Sequence, residues 1–224
     1  MNKHTKSFWG WKDTILLFIA LIPLIVGFVV YDKLPVQMAS HYDLSGHVNG
    51  YMNKTGFFIM MACVNLFLMF TLKVVPQIDP RANNYAKFTD VYELFRFVIS
   101  LFMSSIFIMV LLNNVGYDIS MNTVLLMSLG ILWTVFGNYL GRIRSNFTLG
   151  IRTPWTLANQ EVWNRTHRFA APLWVICGVI MIVSAFMDSG YTLYILLAAL
   201  VLSVLLPIVY SYSLFHKLER GKDQ

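Results

Sequence analysis

The sequence predicts an all-α polytopic membrane protein: six transmembrane helices, both termini cytoplasmic, a small β-hairpin-like outer loop and a cytoplasmic loop with an interfacial helix. Three observations carry that expectation. Of the 224 residues, 57% are hydrophobic and 12% charged, and the mean hydropathy is +0.61, whereas soluble domains carry roughly a quarter charged residues. The apolar residues gather into six continuous stretches near the length that crosses a hydrocarbon core, about 20 helical residues. The basic residues between those stretches fall almost entirely on one side. A β-barrel would read as alternating segments, and in lipid only a helix satisfies every backbone group within one apolar segment.

The first expected span is Thr14 to Tyr31. It follows Lys3, Lys6 and Lys12 as the core of a signal peptide would, but its apolar run is too long and no clean small-residue cleavage pattern follows, so it reads as a retained helix. The next spans are Phe57 to Val75, Leu94 to Leu112, Met121 to Leu140 and Ala170 to Met187. The sixth, Tyr191 to Phe215, is long enough to tilt or to extend past the bilayer.

Basic residues resist translocation and mark the cytoplasmic side. Lys3, Lys6 and Lys12, then Lys73, Arg81, Lys87 and Arg96, then Arg142, Arg144, Arg152, Arg165 and Arg168, and finally Lys217, Arg220 and Lys222 share one side; only Lys33 and Lys54 fall on the other. The net charge of +6 and the pI near 9.3 follow from that asymmetry, so no direct nucleic-acid contact is inferred from them.

No span carries Asp, Glu, His, Lys or Arg in its middle, which argues against ion-driven transport. Lys73 and Arg96 lie near cytoplasmic helix ends, where their stems are expected to snorkel to the headgroups. Asn65, Asn138, Ser104 and Ser105 suit interhelical hydrogen bonding, and Gly137 with Gly141, like Ala199 with Ser203, form small pairs that let backbones approach. Cys63 and Cys177 are expected at depths differing by roughly 10 Å, beyond disulfide reach. The chain also divides into two halves of opposite starting side, a coarse transporter-like layout, although the halves share no sequence similarity.

The outer segment Leu34 to Gly56 alternates Val36, Met38 and Ser40 with Gln37, Ala39 and His41, then carries Ser45-Gly46 and Asn49-Gly50. Period-two alternation beside glycine turn pairs predicts a compact hairpin. His41, Asp43 and His47 have ligand chemistry, but no regular ligand spacing, so they read as solvent-facing and no metal is expected.

The inner segment Gly141 to Phe169 is long for a connection, and long ordered connections tend to carry function. Gly150, Arg152, Thr153, Pro154 and Thr156 make a polar turn whose donors suit a phosphate, a carboxylate or a backbone segment. A short interfacial helix is expected from Leu157 to His167, with Glu161 and Arg165 paired one turn apart. Trp155 and Trp163 at headgroup depth, with Arg165 and Arg168 toward anionic lipid, would anchor it. A catalytic reading would use Glu161, His167 and Arg152, for instance on lipid, but no nucleophile lies beside a base and no phosphate-cradling glycine loop is present. No enzyme activity and no cofactor are expected.

The stretch "GNYLGRIRSNFTLGIRTPWTLANQEVWNRTHRFAAPLWVICG", Gly137 to Gly178, resembles the core motif of the SdpI family of bacterial immunity proteins. The likeness is specific in Gly150 to Leu157, in Val162 and Trp163, and in Thr166 to Arg168; Asn138, Arg142 and Asn146 also match family positions. The outer segment, with Pro35, "SHYDLSGHVNGY" and Lys54, resembles the small domain of unknown function often found ahead of that core. The resemblance divides the chain into a cytoplasmic tail (1–13), two helices with the outer loop 32–56 and a cytoplasmic connection (14–93), a third helix and outer turn (94–120), the SdpI-like core with the loop 141–169 (121–215) and a second tail (216–224).

It implies a multi-pass protein of the bacterial cytoplasmic membrane that protects its cell from a secreted peptide toxin and draws an ArsR-type repressor to its cytoplasmic face. The implied partner-binding residues are Asn138, Arg142, Asn146, Gly150, Arg152, Thr153, Pro154, Trp155, Thr156, Trp163, Thr166, His167 and Arg168. On the outer loop they are Pro35, His41, Asp43, Gly46, Gly50 and Lys54. The alternatives weighed beside it are a small solute transporter or permeability factor and a lipid-modifying enzyme.

Overall fold

The computed structural model describes residues 9–43, 46–187 and 189–221; Lys3, Lys6, Ser45 and Lys222, used above, lie outside them. Six long apolar helices form the body: α1 (Trp11–Val29), α2 (Lys54–Ile78), α4 (Thr89–Val115), α5 (Met121–Leu140), α7 (Gln160–Ser184) and a last span made of α8 (Thr192–Leu200), a π-helical turn (Val201–Leu205) and α9 (Leu206–Arg220). Two short helices, α3 (Ala82–Tyr85) and α6 (Pro154–Ala158), belong to the connections. Only 22–39% of the most apolar window of each span is buried within the protein. Phe18, Phe28, Phe67, Ile176 and Val209 among others point outward, the arrangement expected when hydrocarbon is the solvent.

The helix ends follow from local chemistry. Asn53 caps α2 by accepting from the Gly56 amide at 2.6 Å, Ser120 caps α5, and Asn159 caps α7 by accepting from the amides of Glu161 and Val162, each supplying an acceptor to otherwise orphaned first-turn donors. Gly116 ends α4 at φ +109°, the left-handed cap that glycine adopts without steric cost.

The antiparallel hairpin of β1 (Gln37–Tyr42) and β2 (Val48–Asn53) caps the face where α1 ends and α2 begins. Its register runs from Gln37 opposite Asn53 to Tyr42 opposite Val48, with irregularities on either side of His41. Ser40 is left without an opposite residue, as in a β-bulge, and Met38 and Ala39 before it are both buried. Met38 packs with Leu34, Phe57, Phe58, Met61, Phe107 and Leu111 in a core just beneath the hairpin. Counted along the chain, the start of α1, the end of α9, the α2–α4 connection and the inner loop all lie at the opposite face.

Two subgroups of helices compose the bundle: α1 packs on α2 and α4, while α5 packs on α7 more extensively than any other pair and α7 also packs on α9. The α5–α7 contact is backbone to backbone. A Cβ at Gly130 would lie 2.6 Å from the Gly178 carbonyl, and one at Gly137 would lie 2.7 Å from the Val175 amide. Gly137 thus acts with Gly130 and Gly178, whereas the expected companion Gly141 meets only the Arg168 stem at 3.7 Å.

Three expectations change. The separate interfacial helix from Leu157 to His167 and the span from Ala170 form one helix, α7, entered from the short α6 across Asn159. Nothing between Gln160 and Ala170 breaks a helix, and burial of its first turns against the inner loop stabilises the continuation. Trp163 is completely buried, so it is no headgroup anchor. Lys73 and Arg96 do not snorkel: both bond the Asp13 carboxylate of α1, at 2.6 and 2.7 Å, and Arg96, 3% exposed, also pairs with Glu93 at 2.9 Å. A buried cation requires a paired anion, and Asp13 at the start of α1 supplies it for two helices at once.

Candidate functional site

The inner loop is a closed hydrogen-bonded structure built on the end of α5 and the start of α7. Its first tie is Asn146, fully buried, whose side-chain oxygen accepts from the Thr148 and Leu149 amides at 2.8 and 2.6 Å and whose amide group donates to the Arg144 carbonyl at 2.8 Å. This side chain shapes the turn that the backbone alone would leave with unpaired donors.

A second tie comes from the α2–α4 connection. The buried carboxylate of Asp79 accepts from the Arg81 amide (2.7 Å), the Phe147 amide (2.9 Å), the Tyr85 hydroxyl (2.9 Å) and the Thr148 hydroxyl (3.0 Å). Burial alone would raise its pKa; these four donors outweigh that and hold it below the usual carboxylate value. Burial pushes the Tyr85 phenol up to about 12, so its hydroxyl stays a donor. Arg81 extends the contact by donating to the Ser145 hydroxyl and, at 2.7 Å, to the Leu157 carbonyl, and Asn84 donates to the Ser145 carbonyl at 2.7 Å.

The third tie lies inside the recognised motif. Gly150 takes φ +97°, and a Cβ there would sit 2.4 Å from His167 Nε2, so only glycine fits. His167 donates from Nδ1 to the Trp163 carbonyl at 2.8 Å, which leaves Nε2 free to accept from the Ile151 amide at 3.0 Å. A carbonyl only accepts and an amide N–H only donates, so these contacts fix the neutral Nδ1–H tautomer. Trp163 stacks on the same ring with centroids 4.1 Å apart and donates its indole N–H to the Ile143 carbonyl at 2.9 Å.

Thr153 and Thr156 form a reciprocal cap at the start of α6 with Pro154 at its first position. The Thr153 hydroxyl also bonds Ser211 on α9 at 3.1 Å, and Trp155 packs edge-on against Tyr212, centroids 5.1 Å apart. The last span therefore belongs to the site. Its π-helical turn reinforces this: Trp174 donates to the Ser203 carbonyl at 2.8 Å, Trp133 donates to the Ser203 hydroxyl at 3.1 Å, and the two indoles stack at 5.0 Å. A cleft of about 250 Å³ opens here between Gly150 to Thr153 and the residues Trp174, Ser203, Val204 and Ile208.

Of the expected partner-binding residues, Asn146, Thr153, Thr156, Trp163, Thr166 and His167 are buried. Asn146, Thr153, Thr156, Trp163 and His167 spend their polar groups inside the loop and its contacts, as the bonds above show. Pro154 is exposed at the α6 start. Arg142, Arg152 and Arg168 are exposed, as is Asn138 on α5. Arg152 donates to the Phe147 carbonyl and presents the rest of its guanidinium outward. The expected base Glu161 is ion-paired with Arg165 at 2.6 Å on the exposed side of α7, and both nitrogens of His167 are occupied, so the catalytic constellation is not assembled.

At the outer hairpin, Lys54 donates to the carbonyls of Tyr31 and Leu34 at 3.0 and 3.2 Å and lies 4.0 Å over the Tyr31 ring. Gly50 lies opposite His41, where a Cβ would approach the His41 Cβ at 2.8 Å; Gly46 turns at φ +85°. Asp43 accepts from the His47 amide at 2.9 Å, while Pro35 and His41 are exposed. No cluster of three metal-ligating side chains exists among the described residues. Asn114 of α4, not expected from sequence, pins the hairpin by bonding both the amide and the carbonyl of Ala39, at 2.8 and 2.9 Å.

Asp79, Tyr85, Arg81 and Ser211 were likewise not expected. Asp79-Pro80 is a turn-initiating pair, and it is the one signal that could have drawn attention to this connection.

Comparison with known proteins gives two family matches. Residues 142–211 match the SdpI/YfhL protein family, and residues 18–64 match a domain of unknown function (DUF1648). The chain is also 30% identical over 112 residues to the protein named Immunity protein SdpI of Bacillus subtilis (strain 168); the alignment covers 50% of this chain and 54% of that relative. The chain thus spans about half the length of the curated relative it matches. No solved structure matches it.

Proposed function

From a multi-pass membrane chain that carries the SdpI/YfhL family segment at residues 142–211, we propose a non-enzymatic immunity protein that recognises a secreted peptide toxin on its hairpin face and a cytoplasmic partner on its inner loop. In this reading the hairpin face is outward and both termini are cytoplasmic, in accord with the distribution of Lys and Arg. The partner proposed for the inner loop is an ArsR-type repressor.

The observation that carries this reading is how the inner loop spends its polar groups. Asn146, Thr153, Thr156, Trp163 and His167 are consumed in holding the loop's shape, while Arg152, Arg142 and Arg168 remain at the surface. A rigid frame displaying a few cations is what a recognition surface requires. A catalytic site would instead leave a base free to reach a substrate. Both candidate surfaces attach to α4 and the elements beside it, the hairpin through Asn114 and the inner loop through the Asp79 connection that leads into that helix. One helix is therefore available to relay a displacement between the two faces.

The test is survival of a toxin-sensitive bacterium challenged with an Sdp-type peptide while expressing wild type or Arg152→Ala at matched membrane levels. Capture of a co-expressed ArsR-type repressor on membranes is scored in parallel. The reading expects wild type to protect and to capture, and Arg152→Ala to lose capture by tenfold or more (about 1.4 kcal/mol of binding). Wild type that neither protects nor captures would overturn it.

A further inference from the structure

We propose that a basic recess between the start of α4, the end of α5 and the first turns of α7 holds the phosphate of an anionic phospholipid headgroup. The recess, about 430 Å³, is lined by Lys87, Arg142, Arg144 and Arg168, with Thr89 and Asp90 at the first turn of α4. Four cations thus face one carboxylate.

Among the described residues none of the four cations forms an ion pair, whereas Lys73, Arg96 and Arg165 all do. Lys87 donates to the Asn84 side chain at 3.3 Å, and Arg142 lies 5.2 Å from the Tyr139 ring. Their charge is otherwise unneutralised. Like charges gathered around one hollow repel each other, and an anion seated in it reverses that cost.

The position of the recess along the membrane normal selects the kind of anion. Arg168 is the last charged residue before the apolar run from Phe169 to Met187, and Arg142 is the first after the uncharged stretch from Met121 to Gly141. The recess therefore lies where the apolar body gives way to polar chain, the level of lipid phosphates. Lipid phosphates already stand in that layer and meet the recess without leaving it.

A second recess of about 380 Å³, lined by Asn84, Lys87, Arg144, Gln160 and Asn164, adjoins it through Lys87 and Arg144. Asn84 is spent on Ser145 and Lys87, and Gln160 donates to Asn164 at 3.1 Å; the Gln160 side-chain carbonyl and the Asn164 amino group that this leaves suit the hydroxyls of a glycerol headgroup, while the cations take the phosphodiester. A choline headgroup would bring its own cation toward four others. The inference needs neither toxin protection nor repressor capture, so it stands or falls separately from the immunity reading.

The test uses the full chain reconstituted in phosphatidylcholine bilayers. Spin-labelled phosphatidylglycerol and spin-labelled phosphatidylcholine are compared by the fraction of each that the protein immobilises. The Arg142→Gln/Arg168→Gln variant is set beside Arg165→Gln, which removes an ion-paired cation outside the recess. Helix content and elution profile verify folding, and Lys87→Gln, altered at an exposed connection residue, serves if the double variant does not fold.

Wild type and Arg165→Gln should prefer phosphatidylglycerol by about tenfold or more, since each cation near an anionic headgroup contributes roughly fivefold and at least two meet it here. The double variant should fall to near parity, and Lys87→Gln to an intermediate value. Millimolar inorganic phosphate should leave the wild-type preference largely intact. An equal preference in wild type and double variant would overturn the proposal. So would saturable uptake of inorganic phosphate without preference for phosphatidylglycerol, which would give the recess to a soluble phosphate. No preference at all in wild type would also overturn it and leave the cations to an acidic soluble partner.

Discussion

Replacing Gly150 with Ala is expected to unlock the inner loop by two separable effects. Gly150 adopts φ +97°, where an L-residue costs about 1–2 kcal/mol. The new Cβ would also sit 2.4 Å from His167 Nε2, which must move and release the Ile151 amide it accepts from at 3.0 Å. A partly buried donor left without its acceptor adds about 1–3 kcal/mol. The total is about 2–5 kcal/mol, and at 1.4 kcal/mol per tenfold it corresponds to roughly 30-fold to 3,000-fold faster exchange of the Ile151 amide.

Hydrogen exchange on the detergent-solubilised protein reads this directly at Ile151. Gly116→Ala isolates the backbone effect, because Gly116 has φ +109° and nothing within 4 Å of a Cβ; it should show strain alone and leave Ile151 protected. Adding His167→Ala to Gly150→Ala removes the clash, so the double variant should cost less than the two single variants summed. Unchanged exchange at Ile151 in Gly150→Ala would refute the proposed lock between the glycine and the histidine.

Three further expectations follow from the same contacts. Asp79→Asn keeps the shape but weakens an acceptor of four hydrogen bonds, and should lower stability at neutral pH by on the order of 2–3 kcal/mol. Because the folded pKa of Asp79 is depressed, its contribution is present above the unfolded carboxyl value and is lost as pH falls through the folded one. Thermal denaturation across pH should therefore show wild type and Asp79→Asn converging in acid; a constant gap would contradict the assignment. Asp13→Asn removes the carboxylate that Lys73 and Arg96 both bond, leaving Arg96 its Glu93 pair, and should cost about 3–5 kcal/mol. Glu93→Gln should cost less, since Glu93 is 22% exposed and Arg96 keeps Asp13; comparable losses in a detergent melting assay would argue against a shared role for Asp13. Gly178→Ala would place a Cβ 2.6 Å from the Thr134 amide and the Gly130 carbonyl and should push α5 and α7 apart, costing at least about 1–3 kcal/mol. Gly141→Ala, with only the Arg168 stem nearby at 3.7 Å, should be tolerated, and equal melting temperatures for these two variants would refute backbone-to-backbone packing.

The six apolar spans and the outer hairpin were legible in the sequence because their signals are local. A run of apolar residues long enough to cross hydrocarbon has one low-energy conformation there, and alternation beside glycine turns specifies a hairpin within a few residues. The importance of Gly150, Thr153 and His167 was legible through resemblance, and their roles were not. All three read as surface that a partner would touch; the structure buries Thr153 against Ser211 and His167 between Trp163 and Ile151, and leaves Gly150 exposed with its Cα beside the His167 ring.

The sequence by itself determined the number of spans, the side on which basic residues gather and the presence of a structured loop at each face. Tertiary structure alone decided which side chains close that inner loop and which ion pair ties α4 to α1. Phe147 meets Asp79 across 68 residues, Thr153 meets Ser211 across 58, and Arg96 meets Asp13 across 83. None of these pairs has a local periodicity to betray it. Each forms because a buried polar group must find its partner wherever the packing of distant helices happens to bring one.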